Sequence, residues 1–375
     1  MKKFSTKCVH SGTIHDTMNK GSNSPIFTST SYEFIDRDET VYPRYLNTPN
    51  EKAVAEKMAD LEEMEEALVF SSGMAAITTT SLSFLSSGDH MVFQKGLYGG
   101  TTNFVLNELE RFGIAYSIAQ SQVANDIMDA VTPQTRLIYL ETPSNPLLNI
   151  TDLEAVASAA KSRGILTMVD NTFASPVNQR PGRQGIDIVI HSATKYLGGH
   201  SDLCAGVVAA SKELIQPVHK TGLSFGGSLN ALSLYLMERS LKTLDVRVQR
   251  INKNAQTVAE FLVIHPGVSK VNYPGLPEHP GHAIARRQMF GYGGMLSFEL
   301  KDMDSIDFQK RLKLIRPSMS LGGVETIVSS PAHTSHRHLG KEGRKKEGIS
   351  EGLIRMSVGI ESSEDLIDEL DEVLG

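Results

Sequence analysis

Short apolar runs recur between positions 68 and 210, and segments with helical spacing separate them. Leu68-Val69-Phe70, Met91-Val92-Phe93 and Leu137-Ile138-Tyr139-Leu140 open the series, and runs at 165–169, 186–190 and 206–210 continue it. The stretch 51–66 places Ala53, Val54, Met58, Leu61 and Met64 at spacings near three and four. Further helices are predicted from Ser71-Ser72-Gly73 to Leu85, over 101–112, and over 152–162 with Thr151 or Asp152 as cap. Apolar strands alternating with helices predict an α/β chain built on a mostly parallel sheet with helices on both faces.

The flanks differ. Residues 1–50 are polar and broken by Gly12, Gly21, Pro25, Pro43 and Pro49, which predicts an extended arm. Beyond residue 230, long helices are expected over 230–241 and 246–263. Strands at 295–299 and 353–358 and an amphipathic last helix, Ser363 to Leu374, then predict a smaller C-terminal α/β domain. The expected organisation is an arm over 1–50, a main domain over 51–230 and a smaller domain over 231–375. A chain of 375 residues with 40% hydrophobic content can bury such cores. Its net charge of −6 gives no basic field for nucleic acid. No apolar run is long enough for a membrane span, and no apolar stretch follows Met1-Lys2-Lys3 as a secretory signal requires. Cys8 and Cys204 do not make a disulfide framework, so a cytoplasmic setting is expected. The basic cluster 341–346 is read as a solvated loop.

Chemistry concentrates where the strand-like runs end. Lys195 follows the run 186–190, with Ser192 and Thr194 before it and Gly198-Gly199 after it. A lysine amine can bond the aldehyde of pyridoxal phosphate, hydroxyls can hold its phosphate, and glycines let backbone pass close to it. Asp170, in Val169-Asp170-Asn171-Thr172, ends the run before that one, where a buried carboxylate suits the pyridine nitrogen. In Ser71-Ser72-Gly73-Met74, the N–H groups of Gly73 and Met74 would point from a helix start toward an anion; a plain capped turn is the alternative. Tyr98 lies in Gly96-Leu97-Tyr98-Gly99-Gly100, where it could stack on a flat ring or sit on the surface. Asn145, in Glu141-Thr142-Pro143-Ser144-Asn145-Pro146, could bond a carboxylate or cap a rigid turn. His333, His336 and His338 match the usual zinc spacings poorly, so no metal is expected and a loop at the mouth of the site is preferred. The Rossmann glycine fingerprint and the Walker A pattern are missing, which disfavours nicotinamide and nucleoside triphosphate roles.

Taken in order, SSGMAA, LYGGT, ETPSNP, VDNTF and the lysine loop resemble the Cys/Met-metabolism family of pyridoxal-phosphate enzymes. That family includes cystathionine γ-synthase, cystathionine β- and γ-lyases and methionine γ-lyase. The resemblance spans roughly Thr6 to Leu374 and implies the type I pyridoxal-phosphate fold. It implies that Lys195 bonds the cofactor, Asp170 pairs with the ring nitrogen and Tyr98 stacks on the ring. Gly73, Met74, Ser192 and Thr194 would hold the phosphate. Tyr42 and Arg44, in YPRYLN, would reach the phosphate of a neighbouring subunit, making a homodimer the minimum unit and a homotetramer the usual assembly. Asn145, Ser320 and Arg355 would form the substrate-carboxylate site. The implied activity is thiol elimination from cystathionine or a related L-amino acid, with γ-synthase, β-lyase and methionine γ-lyase chemistry as alternatives. A silent cofactor-binding subunit is the remote alternative, opposed by intact Lys195, Asp170, Tyr98 and Arg355.

The sequence departs from the family pattern in three places. Asn47-Thr48-Pro49 replaces the usual Asn-Pro-Thr, which puts that loop in doubt. Met319 stands where cystathionine-specific members often carry Glu, favouring a less polar distal group. Gly100 replaces the Cys usual in methionine γ-lyases.

Overall fold

Each strand-like run from 68 to 210 enters one seven-stranded sheet. The computed structural model describes residues 2–375, apart from the side chain of His338. The strands are β1 (Glu66–Phe70), β2 (His90–Phe93), β3 (Ala115–Ile118), β4 (Thr135–Glu141), β5 (Leu166–Asp170), β6 (Ile188–Ser192) and β7 (Gly206–Ala210). Their order is β1-β7-β6-β5-β4-β2-β3. Only β7 runs against its neighbours. The edge strand β3, with its half-exposed Ala-Tyr-Ser-Ile, lacks the apolar run by which the others are recognised.

Side-chain alternation splits the sheet into two buried faces. Phe93, Tyr139, Met168, Ile188 and Ile190 form one core with α3 (Gly73–Phe84), α4 (Gly99–Asn107) and α8 (Lys212–Phe225). Behind the sheet, Val92, Ile138, Leu140, Val169 and Val189 pack on α5 (Ala124–Asp129) and α6 (Leu153–Lys161). The rest of that side is covered by α2 (Pro49–Glu62), α9 (Ala231–Leu241) and the first half of α10 (Leu244–Ile264). From Ala255 onward α10 turns to a second core. That core lies on a five-stranded sheet of order β10-β11-β12-β9-β8: β8 (Val268–Asn272), β9 (Met295–Leu300), β10 (Arg316–Pro317), β11 (Ile327–Ser329) and β12 (Leu353–Ser357). The C-terminal helix Ser363–Leu374 closes it through Leu366, Leu370 and Val373.

Three local expectations change. The arm is not wholly extended, because α1 (Phe4–His10) folds onto α2 and buries Cys8. The basic cluster forms a short exposed helix, Gly340–Lys346, whose three basic residues in the last turn suit the negative end of the helix. At Asn47-Thr48-Pro49 the altered order builds a helix start. Thr48 caps α2 by accepting from Glu51 N, Glu51 accepts back from Thr48 N at 3.0 Å, and Pro49 occupies the first turn. Among the described residues, no helix is long and apolar enough to cross a membrane.

Candidate active site

Ligands of open α/β sheets bind beyond the carboxyl ends of the strands. Here that edge gathers the turn after β1, the loop after β2, and the ends of β4, β5 and β6. The second sheet covers them with the 319–321 loop and Arg355 of β12. The open-mouthed cavity between them is about 280 Å³. Its wall includes Gly73, Met74, Tyr98, Asn145, Asp170, Ser192, Thr194, Lys195, Met319, Ser320 and Arg355, the residues singled out from sequence. Tyr42 and Arg44 do not line it.

Lys195 follows β6 and donates from Nζ to Ser320 Oγ at 2.9 Å. Burial, and then the charge of Arg355, push its amine below the usual lysine range, as a nucleophile or base near neutral pH requires. Ser320 sits at φ 87°, a left-handed conformation costly for a non-glycine residue. Its carbonyl accepts from Arg355 Nη2 at 3.0 Å, and Asn145 Oδ1 accepts from Arg355 Nη1 at 3.0 Å. Arg355 is 8% exposed and, among the described residues, makes no ion pair. Burial lowers its pKa to about 10, which leaves it charged at neutral pH. A buried cation without a counter-ion is unfavourable. A ligand carboxylate entering the cavity relieves it.

The opposite wall gathers backbone N–H groups and hydroxyls. Ser72 caps α3, its Oγ accepting from Ala75 N at 3.0 Å and its carbonyl from Ala76 N at 3.1 Å. That leaves the N–H groups of Gly73 and Met74 at the positive end of the helix. A Cβ on Gly73 would come within 2.8 Å of Ser192 Cβ, so glycine is what lets this turn and the end of β6 share one cradle. Ser192 presents its hydroxyl there, and its N–H donates to Thr172 Oγ1 at 2.8 Å. The Thr194 hydroxyl is tied back to the backbone of Ala205, donating to its carbonyl at 3.3 Å and accepting from its N–H at 3.1 Å.

Between the two walls lie Asp170 and Tyr98. Asp170 ends β5, with Oδ1 accepting from Thr172 N at 2.9 Å. Burial pushes its carboxyl up, and the Thr172 bonds partly offset this; a cationic nitrogen beside it would draw it back down. Tyr98 opens α4 and is 48% exposed. A Cβ at Gly100 would meet its ring at 2.5 Å, so glycine here leaves room for the Tyr98 ring.

Sequence reasoning passed over Glu141 and Tyr139. Glu141 Oε2 accepts from Tyr98 N at 2.8 Å, and Tyr139, on the same face of β4, donates to Glu141 Oε1 at 3.2 Å. Arg44 stands elsewhere, its guanidinium over the rings of Tyr42 and Tyr45 at 6.0 and 5.2 Å, donating to the Leu223 carbonyl. The histidine loop reaches the cavity mouth through Thr334 and Ser335. His333 pairs with Ser330 Oγ at 3.0 Å and His336 with Ser335 Oγ at 2.8 Å. The side chain of His338 lies outside the described residues. No group of three or more His, Cys, Asp or Glu able to hold a metal occurs among the described residues.

A strand-end lysine, a half-buried aspartate, an exposed tyrosine and a helix-start cradle of N–H groups around one cavity fit pyridoxal phosphate, and the fold and site define a pyridoxal-phosphate enzyme. The family description "Cys/Met metabolism PLP-dependent enzyme" matches residues 5–375. The chain is 42% identical to cystathionine γ-lyase of Bacillus subtilis (strain 168) over 378 residues, covering 100% of this chain and 99% of the relative. It is also 42% identical to cystathionine β-lyase of Lactococcus lactis subsp. cremoris (strain MG1363), with coverage of 100% and 99%. The crystal structure of cystathionine γ-lyase from Lactobacillus plantarum complexed with L-serine superposes with a TM-score of 0.95 at 37% identity, covering 99% of this chain and 98% of that one. The chain belongs to the Cys/Met-metabolism family of pyridoxal-phosphate-dependent enzymes. Its substrate is therefore a small amino acid.

Proposed function

We propose that the protein is a carbon–sulfur lyase that eliminates a thiol from L-cystathionine or a related L-amino acid, releasing a 2-keto acid and ammonia. Bound in the cavity, pyridoxal phosphate supplies an electron sink for the charge left when a proton leaves the substrate Cα. Arg355 and Asn145 bind the substrate carboxylate, the guanidinium by paired N–H donors. Ser320 accepts from Lys195 Nζ, the amine that would bond the cofactor until the substrate amine displaces it. The lysine amine, neutral in a larger fraction than a solvated lysine, then takes the Cα proton and moves it onward. Asp170 supplies the negative charge opposite the ring nitrogen. Gly73, Met74, Ser192 and Thr194 bind the phosphate, with Thr194 turning its hydroxyl from Ala205. Tyr98, on the cavity wall, would hold the ring by its face and assist the departing thiol.

Tyr42 and Arg44 complete the phosphate site of a neighbouring subunit. We therefore read residues 1–50 as an arm exchanged in a homotetramer, beside a cofactor domain over 51–230 and a smaller domain over 231–375. Unpaired Cys8 and Cys204 suit a cytoplasmic setting.

The carrying observation is the buried Arg355 without a counter-ion, joined through Ser320 to the Lys195 amine. Arg355→Leu should raise KM roughly 100-fold while kcat changes far less, since a charged hydrogen-bond pair contributes about 2–3 kcal/mol. Steady-state kinetics check this, and an unchanged KM would remove Arg355 from substrate binding. The reaction is tested by giving cofactor-loaded protein L-cystathionine and identifying the keto acid by mass. 2-Oxobutyrate establishes γ-elimination and pyruvate β-elimination; formation of neither from L-cystathionine or from L-methionine refutes the lyase reading. Met319, 64% exposed at the cavity wall, favours the second reading of a less polar distal group, as in methionine.

A further inference from the structure

Two carboxylates stand side by side at this sheet edge, because register pairs Glu141 of β4 with Asp170 of β5. Both belong to the cavity wall. Only one of them, Asp170, has a part in the proposed chemistry. Two like charges in one buried site disfavour each other's ionisation. The structure supplies a bridge between them: Tyr139 Oη lies 3.2 Å from Glu141 Oε1 and 3.5 Å from Asp170 Oδ2. Thr101 Oγ1 is also 3.5 Å from Tyr139 Oη. The other oxygen of Glu141 is held by the N–H of Tyr98 at 2.8 Å. One acid thus touches both the residue that faces the ring and, through a phenol, the residue that faces the ring nitrogen.

We propose that Glu141 is a positioning residue that fixes Tyr98 through its backbone N–H and keeps Asp170 ionised by carrying the pair's proton itself, relayed through Tyr139. In this arrangement the Tyr139–Glu141 bond is reversed by protonation of Glu141, which then donates to Tyr139, freeing the phenol proton of Tyr139 for Asp170. Asp170 then has two donors, Tyr139 and Thr172 N, and is the better seat for the charge. Burial and the neighbouring Asp170 push the Glu141 carboxyl up, in keeping with this order. The charged and titratable groups around the pair agree with it. His191, behind the sheet, acts on Asp170 in the sense that favours its ionisation. Lys195 from the loop after β6, Cys204 and Arg355 of β12 face the same cavity. Tyr139 itself is pushed well above the usual tyrosine range by burial and by both acids, so it stays a neutral relay.

The inference rests on the proposed roles of Asp170 and Tyr98, and the test separates the two levels. Absorbance of the bound cofactor is recorded on the holoprotein as pH rises from about 6 to about 10, for wild type, Glu141→Gln, Tyr139→Phe and Asp170→Asn. Glutamine reproduces protonated glutamate but cannot ionise. Wild type should show an alkaline step that Glu141→Gln abolishes and Tyr139→Phe displaces by about one pH unit or more. Glu141→Leu, which leaves Tyr98 N–H unpaired, should raise the cofactor Kd roughly tenfold. Superimposable curves for wild type and Glu141→Gln overturn the relay, and an unchanged Kd in Glu141→Leu overturns the anchoring of Tyr98. If Glu141→Gln shows no cooperative thermal transition, Tyr139→Phe decides the relay by the same comparison. Asp170→Asn is the control: wild-type absorbance and Kd in that variant would defeat the reading of Asp170 itself, whereas a changed Asp170→Asn beside an unchanged Glu141→Gln defeats only the relay.

Discussion

Lys195→Ala is expected to cut turnover roughly 10⁴-fold while leaving the fold intact. The size of the loss comes from the number of tasks given to one amine, which bonds the cofactor, takes the Cα proton and passes it on. The survival of the fold comes from the bonds that hold the loop. Lys195 N donates to Ser192 O at 3.1 Å and Gly199 N donates to Lys195 O at 2.7 Å, and alanine keeps both. The side chain gives up one hydrogen bond, from Nζ to Ser320. Removing the amine also takes a positive charge from beside buried Arg355, so the thermal midpoint should hold or rise slightly. Steady-state thiol release and a thermal melt check the two halves. Thiol released at the wild-type rate would show that another group carries out the proton transfers.

Asp170 and Lys195 were legible because both stand where an apolar strand run stops, and parallel strands leave their carboxyl ends along one edge. Glu141 stands at an equivalent strand end but was hidden by its neighbours. A glutamate before Thr-Pro-Ser-Asn-Pro reads as loop polarity. Two-residue alternation would have revealed it, since Tyr139 and Glu141 must share a face of β4. The start of α2 was legible in another way. Thr48 and Glu51 have the Thr-x-x-Glu spacing of a capping box, a physical pattern that comparison with Asn-Pro-Thr obscured. The edge strand β3 and the seven-residue α1 were not legible. The first is half exposed and the second is short, so each owes its form to the surface it packs against and not to its own pattern. Arg355 was within reach because it interrupts an apolar strand, 353–358, where a charge has to have a partner.

Replacement of Arg44 gives the second large effect. Its guanidinium lies among Tyr42, Tyr45 and the Leu223 carbonyl, outside its own cavity, and Tyr42 is 42% exposed. The exposed tyrosine rings use the guanidinium charge only weakly, whereas a phosphate would use it fully. Arg44→Ala should weaken cofactor binding by roughly tenfold or more, the loss of one charge-assisted hydrogen bond. Mixing then tests whose phosphate it serves. Equal amounts of Arg44→Ala and Lys195→Ala chains, unfolded and reassembled together, give heterodimers in about half of the two-fold pairs. In a shared site, each heterodimer has one cavity that combines an intact Lys195 with an intact Arg44 from the other chain. The mixture should then recover roughly a quarter of wild-type activity at limiting cofactor, well above either parent. If Arg44 serves its own chain's cavity, no combination restores a complete site. Hybrids shown by native mass spectrometry to have formed would then be no more active than the Arg44→Ala chains they contain, and the arm would have to be reassigned to assembly alone.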